Sequence, residues 1–296
     1  MSSMNNVHST RLIHSDFYEV KRWTFDFGHD HRDRKGFNDC LCMVFVTKGR
    51  FLFDLAKKTY DLHTGHILID KPNYEYRVRP SSGQCTIFNF TDEFYRQALD
   101  DPALRRLSFF SRKHMLSAMR TSTPEMEHLH YQIQKQTGHS GKLDVDTLVA
   151  DLFNSATTLL HDGYSKTDVS RSLKCHHLGT VEKAKEYLNH HFASDISLFD
   201  LSQYCCVSPF HFSRIFKTFT SYSPNQYLLN IRIKHGELLL KNSGLPISKI
   251  SMSCGFNSPE YFAATFRNKF GLSPTEFRKT RRRTTHRRDC FIPTFQ

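Results

Sequence analysis

LSQYCCVSPFHFSRIFKTFTSYSP, Leu201–Pro224, returns with small changes as ISMSCGFNSPEYFAATFRNKFGLSP, Ile250–Pro274. Ser208, Pro209, Phe212, Phe216, Ser223 and Pro224 recur 50 residues later as Ser258, Pro259, Phe262, Phe266, Ser273 and Pro274. Repetition at a fixed offset marks one supersecondary unit used twice. Each Ser-Pro pair reads as a helix start: Ser caps free N–H groups, and Pro stands where an N–H would have no partner. Gln226 and Glu276 complete capping boxes with Ser223 and Ser273, and Ser197 with Asp200 starts a further helix similarly. Each copy is therefore a short helix, a tight turn and a longer second helix. The second copy has one extra residue in its turn.

The second helices are two-faced. Phe212, Ile215, Phe216 and Phe219 share one side at helical spacing and should be buried. The other side presents Phe210, His211, Ser213, Arg214 and Lys217; the second copy offers Ser258, Glu260, Tyr261, Arg267 and Lys269 as its candidate contacts. A recognition helix needs this division, one side packing and one side reading a groove. Pro224 to Asn242 reads as one connecting helix, about 28 Å long. Successive major-groove faces on one side of DNA lie about 34 Å apart, so the spacer suits two adjacent segments. Charge agrees: 17 Lys and Arg face 8 Asp and Glu from Leu178 onward, against 24 and 21 before it. A basic third points to a polyanion partner. An ordinary helical repeat explains the periodicity alone, but not the duplication together with the charge.

These residues make the chain resemble the AraC/XylS family of bacterial transcription regulators. The resemblance spans about residues 178–280. It rests on HFSRIFK, YLLNIRIKHGELLL, ISKISMSCGFNSPEYFAATFRNKFG and SPTEFRK. It implies two helix-turn-helix units joined by a long helix, double-stranded promoter DNA as partner, and RNA polymerase as a candidate second partner. It also implies base contact by the arginine that only the first copy keeps, Arg214. Cys206 and Ser221 stand where glycine is usual, and Gly236 where alanine is.

Residues 20–90 read as short strands. Leu41–Val46 is a compact apolar run. Phe51, Phe53 and Leu55 alternate, as do Tyr60 and Leu62, Ile67 and Ile69, then Tyr74, Tyr76 and Val78. Short strands between turns at this spacing indicate a small barrel or sandwich. Met126–Gln136 and Val145–Leu160 then read as helices, the second striped with Leu148, Val149, Leu152, Phe153, Ala156, Leu159 and Leu160. This half resembles the cupin-like effector domain of the same family, a β-barrel followed by dimerisation helices. The expected class is α+β, in four parts: effector-binding and dimerisation domain 1–165, linker 166–177, tandem helix-turn-helix domain 178–280, basic tail 281–296. A homodimer is expected through the helices between about Met126 and Leu160, with this stripe as its seam. A small-molecule effector is expected among His29, His31, Phe45, Phe53 and Tyr76, with the inward face depending on register.

Other chemistry is discounted. The eight cysteines form no C-x-x-C pair and suit a reducing cytoplasm. His29-x-His31 starts a cupin-type metal set, yet Lys71–Tyr76 offers no histidine to finish it. His63 and His66 are ambiguous. No metal, no cofactor and no catalytic residue is expected; a DNA-tethered cupin enzyme and a sequence-blind architectural protein are the competing readings. Neither a signal peptide nor a membrane span is expected, which places the protein in the cytoplasm. Arg278–Arg288, with seven Lys and Arg, reads equally as phosphate contact or as a solvated tail.

Overall fold

The computed structural model describes residues 6–26, 33–55, 58–79, 82–136, 144–160 and 171–284. They divide into two compact units. One holds the described residues up to Ser122 with Asn154–Glu182. The other holds Thr123–Phe153 and everything described from Lys183 onward.

In the first unit, nine strands form one antiparallel sheet: β1 (Asn6–His14), β2 (Tyr18–Asp26), β3 (Arg34–Asn38), β4 (Leu41–Leu55), β5 (Lys58–His63), β6 (His66–Asp70), β7 (Tyr74–Arg79), β8 (Gly83–Phe90) and β9 (Ser117–Thr121). Three short helices, α1 (Asp92–Asp100), α2 (Pro102–Arg105) and α3 (Ser108–Ser111), precede β9. The main path runs β1-β2-β8-β4-β6-β9, while β7 and β5 also pair with β4. The path is open at β1 and β9, so the expected barrel is an unclosed sheet among the described residues.

The long strand β4 organises this unit. Its first half pairs with β8 and β6, its second with β5 and β7. A register shift between Val46 and Lys48 marks the change. Gly49 follows at φ 77°, where an added Cβ would stand 2.1 Å from the Ser82 carbonyl oxygen, so only glycine fits the bend. An extra residue in a strand reverses which side chains face inward. Cys42, Val44 and Val46 therefore share a face with Phe51 and Phe53.

The second unit is helical: α4 (Pro124–Lys135), the first part of α5 (Val145–Thr158), the second part of α6 (Arg171–His191), α7 (Leu198–Tyr204), α8 (Pro209–Thr220), α9 (Pro224–Asn242), α10 (Ile247–Ser253), α11 (Pro259–Phe270) and α12 (Pro274–Thr284). The connecting helix α9 has the expected bounds.

Three expectations change. Residues 171–177, expected within the linker 166–177, are the first turns of α6. Lys174 holds them, donating to Asp61 Oδ2 at 2.7 Å, while Glu182 accepts from Gly49 N and Thr64 Oγ1, each at 2.7 Å. Residues 281–284 of the expected tail continue α12. The stripe Leu148–Leu160 is buried within the single chain, Leu152 and Ala156 fully, so it is no free dimer seam. Likewise α4 packs along α9, burying Met126, Leu129 and Ile133. Periodicity finds a buried face but does not name its partner.

Candidate nucleic-acid interface

The helix starts behave as their sequence suggests, with one exception. Ser197 and Asp200 cap α7 reciprocally, as Ser223 and Gln226 cap α9. Ser273 Oγ accepts from Glu276 N at 3.3 Å, and Glu276 returns a carboxylate oxygen to Ser273 N at 2.8 Å. The Ser273 hydroxyl, which donates to Glu276 Oε2 at 2.7 Å, and then the Ser273 N–H hold the Glu276 carboxyl below its usual range. Ser258 caps α11, accepting from Tyr261 N at 3.1 Å, so its hydroxyl is occupied locally. The exception is Ser208, which makes no side-chain cap bond and leaves Pro209 to start α8.

Both turns need a left-handed residue. Cys206 (φ 56°) fills that place in the first unit and Gly255 (φ 79°) in the second. Ser221 (φ 66°) and Gly271 (φ 74°) then end α8 and α11.

The two-faced reading of α8 holds. Phe212, Ile215, Phe216 and Phe219 are buried, with Phe212 and Phe216 packed at 5.7 Å. Phe210 is 83% exposed; His211, Arg214 and Lys217 are also exposed, and Ser213 is half-buried. On α11, Phe262 and Phe266 are fully buried while Glu260, Tyr261, Arg267 and Lys269 are exposed. The side chains of Arg214 and Lys217 form no ion pair among the described residues, so both can meet phosphate or base without breaking a bond.

Residues 201–280 match a family model described as a helix-turn-helix domain. The regulator ArgR of Pseudomonas aeruginosa is 35% identical over 94 residues, 32% of this chain and 29% of its own length. The Msm operon regulatory protein of Streptococcus mutans is 33% identical over 99 residues, 33% of this chain and 36% of its own. A solved AraC-type regulator from Chromobacterium violaceum is 29% identical, covering 35% of this chain and 92% of that one, at TM-score 0.33. The chain carries an AraC/XylS-type DNA-binding domain. It spans about a third of the length of these curated relatives.

Within the AraC/XylS-type domain, Lys269 departs from the sequence reading. Its Nζ pairs with Glu125 Oε1 at 2.7 Å, so α4 already holds this cation. Lys185 donates to Glu127 Oε1 at 2.6 Å nearby in sequence on the same helix turn. Sequence reasoning missed both pairs, because partners 144 and 58 residues apart leave no local signal. It also missed Arg232, which ties α9 to the end of α6 by donating to Phe192 O at 2.7 Å and Ser194 O at 2.8 Å.

Of the expected effector residues, Phe45, Phe53 and Tyr76 belong to the sheet unit, which holds a cavity of about 400 Å³. Phe53 and Tyr76 line it, their rings 5.3 Å apart. Phe45 does not: it precedes the β4 bulge, and its odd-numbered neighbours Leu41 and Met43 share its buried, opposite face. His29 and His31 lie outside the described residues. His63 and His66 are buried with rings 3.9 Å apart, and neither lines the cavity.

Proposed function

We propose that the protein is a sequence-specific DNA-binding transcription regulator governed by a small effector held in the sheet cavity. The observation that carries this is the duplicated helix-turn-helix, in which each second helix buries phenylalanines on one side and leaves polar side chains open on the other. Phe210, His211, Ser213, Arg214 and Lys217 on α8, with Glu260, Tyr261 and Arg267 on α11, are the proposed contact set. Ser258 serves it indirectly, by fixing the start of α11. Promoter DNA is the partner, with RNA polymerase and a second copy of the chain as further partners in the cytoplasm. The dimer must use a surface other than the stripe Leu148–Leu160, which is already covered. Residues 1–165 are assigned to sensing and 178–280 to DNA. No helix among the described residues is long and apolar enough to cross a membrane.

Enrichment of bound duplexes from random DNA tests the reading. Enriched duplexes should bind at least ~10³-fold more tightly than random competitor at fixed salt. A ratio near one would replace the regulator with a sequence-blind DNA-packaging protein.

A further inference from the structure

The face of the sheet that lines the cavity carries one polar row. Asn89, Cys42, Asp70 and Ser117 stand opposite one another across β8, β4, β6 and β9. Residues in register share a face. The next row on that face, Ile87, Val44, Leu68 and Met119, is wholly apolar. Asp70 is 2% exposed and lines the cavity. Its Oδ1 has no hydrogen-bond partner, and the hydroxyls of Tyr74 and Ser117 beside it are buried without good partners of their own. Its Oδ2 receives only the weak thiol donor of Cys42, at 3.8 Å.

A carboxyl in this position is costly whether ionised or not. Buried acceptors without donors lose water and gain nothing in return. The groups facing Asp70 are Cys42 from β4, Tyr74 and Tyr76 from β7 and Ser117 from β9. None is a cation. Burial pushes the carboxyl up to about 7, with Ser117, Tyr74 and Cys42 pulling it partly back. Three cations line the cavity, none in this buried row: Lys21 is paired with Glu19, Arg34 is half-buried at the start of β3, and Lys35 is exposed; Asp39 lines it as a second carboxylate. Aromatic rings continue from the carboxyl, Tyr74 to Tyr76 at 6.4 Å and Tyr76 to Phe53 at 5.3 Å. Trp23 lines the same space. Ring faces beside a buried carboxylate attract an ammonium group.

We propose that the cavity binds an amine carried on an apolar body, its ammonium group seated on Asp70 and its body among Tyr76, Phe53 and Trp23. This names the ligand class for the effector role proposed above, and rests on it. The ammonium supplies a charged donor to Asp70 Oδ1, which has no partner at hydrogen-bond geometry and only the neutral hydroxyls of Tyr74 and Ser117 beside it. A volume of about 400 Å³ suits a molecule of metabolite size.

Trp23 is the chain's single tryptophan, so its emission reports on the cavity alone. The full chain is titrated with phenethylamine, with its neutral counterpart 2-phenylethanol and with the anion 3-phenylpropionate. Phenethylamine should bind at least ~10-fold more tightly than either. The cation needs ionised Asp70, so its affinity should rise ~10-fold between about pH 6 and about pH 8, while that of the alcohol stays level. Asp70→Asn keeps the shape and removes the charge. It should melt no lower than the parent, bind 2-phenylethanol as before, and lose both the amine preference and the pH dependence. Equal affinity for the three probes, preference for the acid or alcohol, silence of Trp23 toward all three, or an unchanged preference in Asp70→Asn would each overturn the assignment. Affinity for the enriched duplexes is read in parallel. Amine binding as described with no effect on DNA keeps the amine site and removes the effector role. A DNA response to 2-phenylethanol without amine preference keeps the effector role and removes the amine.

Discussion

A methyl group at position 236 would stand 2.7 Å from Cε2 and 3.0 Å from Cζ of Phe262. Helix propensity favours alanine over glycine there by up to ~1 kcal/mol. Overpacking a well-filled core costs about 1–3 kcal/mol, and Phe262 is fully buried. Packing wins, so Gly236→Ala should lower stability by about 1 kcal/mol in chemical denaturation; a rise would mean that the ring moves freely. Cys206 and Ser221 behave oppositely. Both sit at positive φ, which costs a side chain ~1 kcal/mol, and both are exposed. Cys206→Gly and Ser221→Gly should each stabilise by about 0.5 kcal/mol, once the extra freedom glycine gives the unfolded chain is subtracted. A pair of melts that fall would show that these turns are not strained. The left-handed pair was legible in sequence, because the duplicated copy puts glycine at Gly255 and Gly271. The reason for Gly236 was not, because it lies in a ring 26 residues away. Phe45 escaped for a related reason: a bulge of one residue inverts the inward face, and no local residue type announces it.

At the scale of elements, α4 joins α6 and α9 through a buried polar node. His128 Nδ1 donates to Asn189 Oδ1 at 3.3 Å, and His128 Nε2 accepts from His235 Nδ1 and Gln132 Nε2, each at 3.2 Å. This pattern requires a neutral His128, since a proton on its Nε2 would face donors. Burial pushes His128 well below 6.5, helped by His235 and by Lys234 and Lys135. Burial, then Lys135, lowers His235 to about 4. The unfolded chain takes up these protons first as pH falls, so the folded state is favoured above about 6.5 and loses ground between there and about 4. The loss from His235 alone is about 3 kcal/mol. Melting temperature followed from neutral pH to about pH 4.5 should therefore fall steeply, and His235→Gln should flatten the slope; an unchanged slope would assign acid sensitivity elsewhere. The helices were visible in the sequence, with Met126–Gln136 close to the observed Pro124–Lys135. What they cover was not. His128, His130 and Gln132 look like a solvated face until their partners, 61 and 107 residues away for His128, arrive.

For the whole molecule, the strand alternation, the capping residues and the tandem repeat made the α+β layout readable. The unit boundary was not, because α4 follows the sheet in sequence yet packs with α9. The same layout predicts an unequal division of work between the two recognition helices. The first presents Phe210, Arg214 and Lys217 with no ion pair on either cation among the described residues; the second presents Glu260 and Ala264 at the places of Phe210 and Arg214. Guanine offers O6 and N7 to a forked guanidinium, and such a pair discriminates by about 1–3 kcal/mol. Alanine can meet only a thymine methyl, and Glu260 either accepts from a cytosine amino group or repels phosphate. Lys269, though exposed, is held by Glu125, which leaves Arg267 as the exposed α11 cation outside any ion pair among the described residues, for the DNA backbone. Phosphate contacts add affinity and salt dependence without reading sequence. Arg214→Ala should therefore relax base preference in one groove-length segment at a cost of about 1–3 kcal/mol against the best site. Arg267→Ala should weaken all duplexes alike and reduce the salt slope by about one. Sites enriched from random DNA should carry strong preference in one segment and weak preference in the next, some 34 Å along the helix axis by B-DNA geometry. Equal information in both segments would mean that α11 reads bases through Glu260 or Tyr261, and would transfer half of the specificity to the second unit.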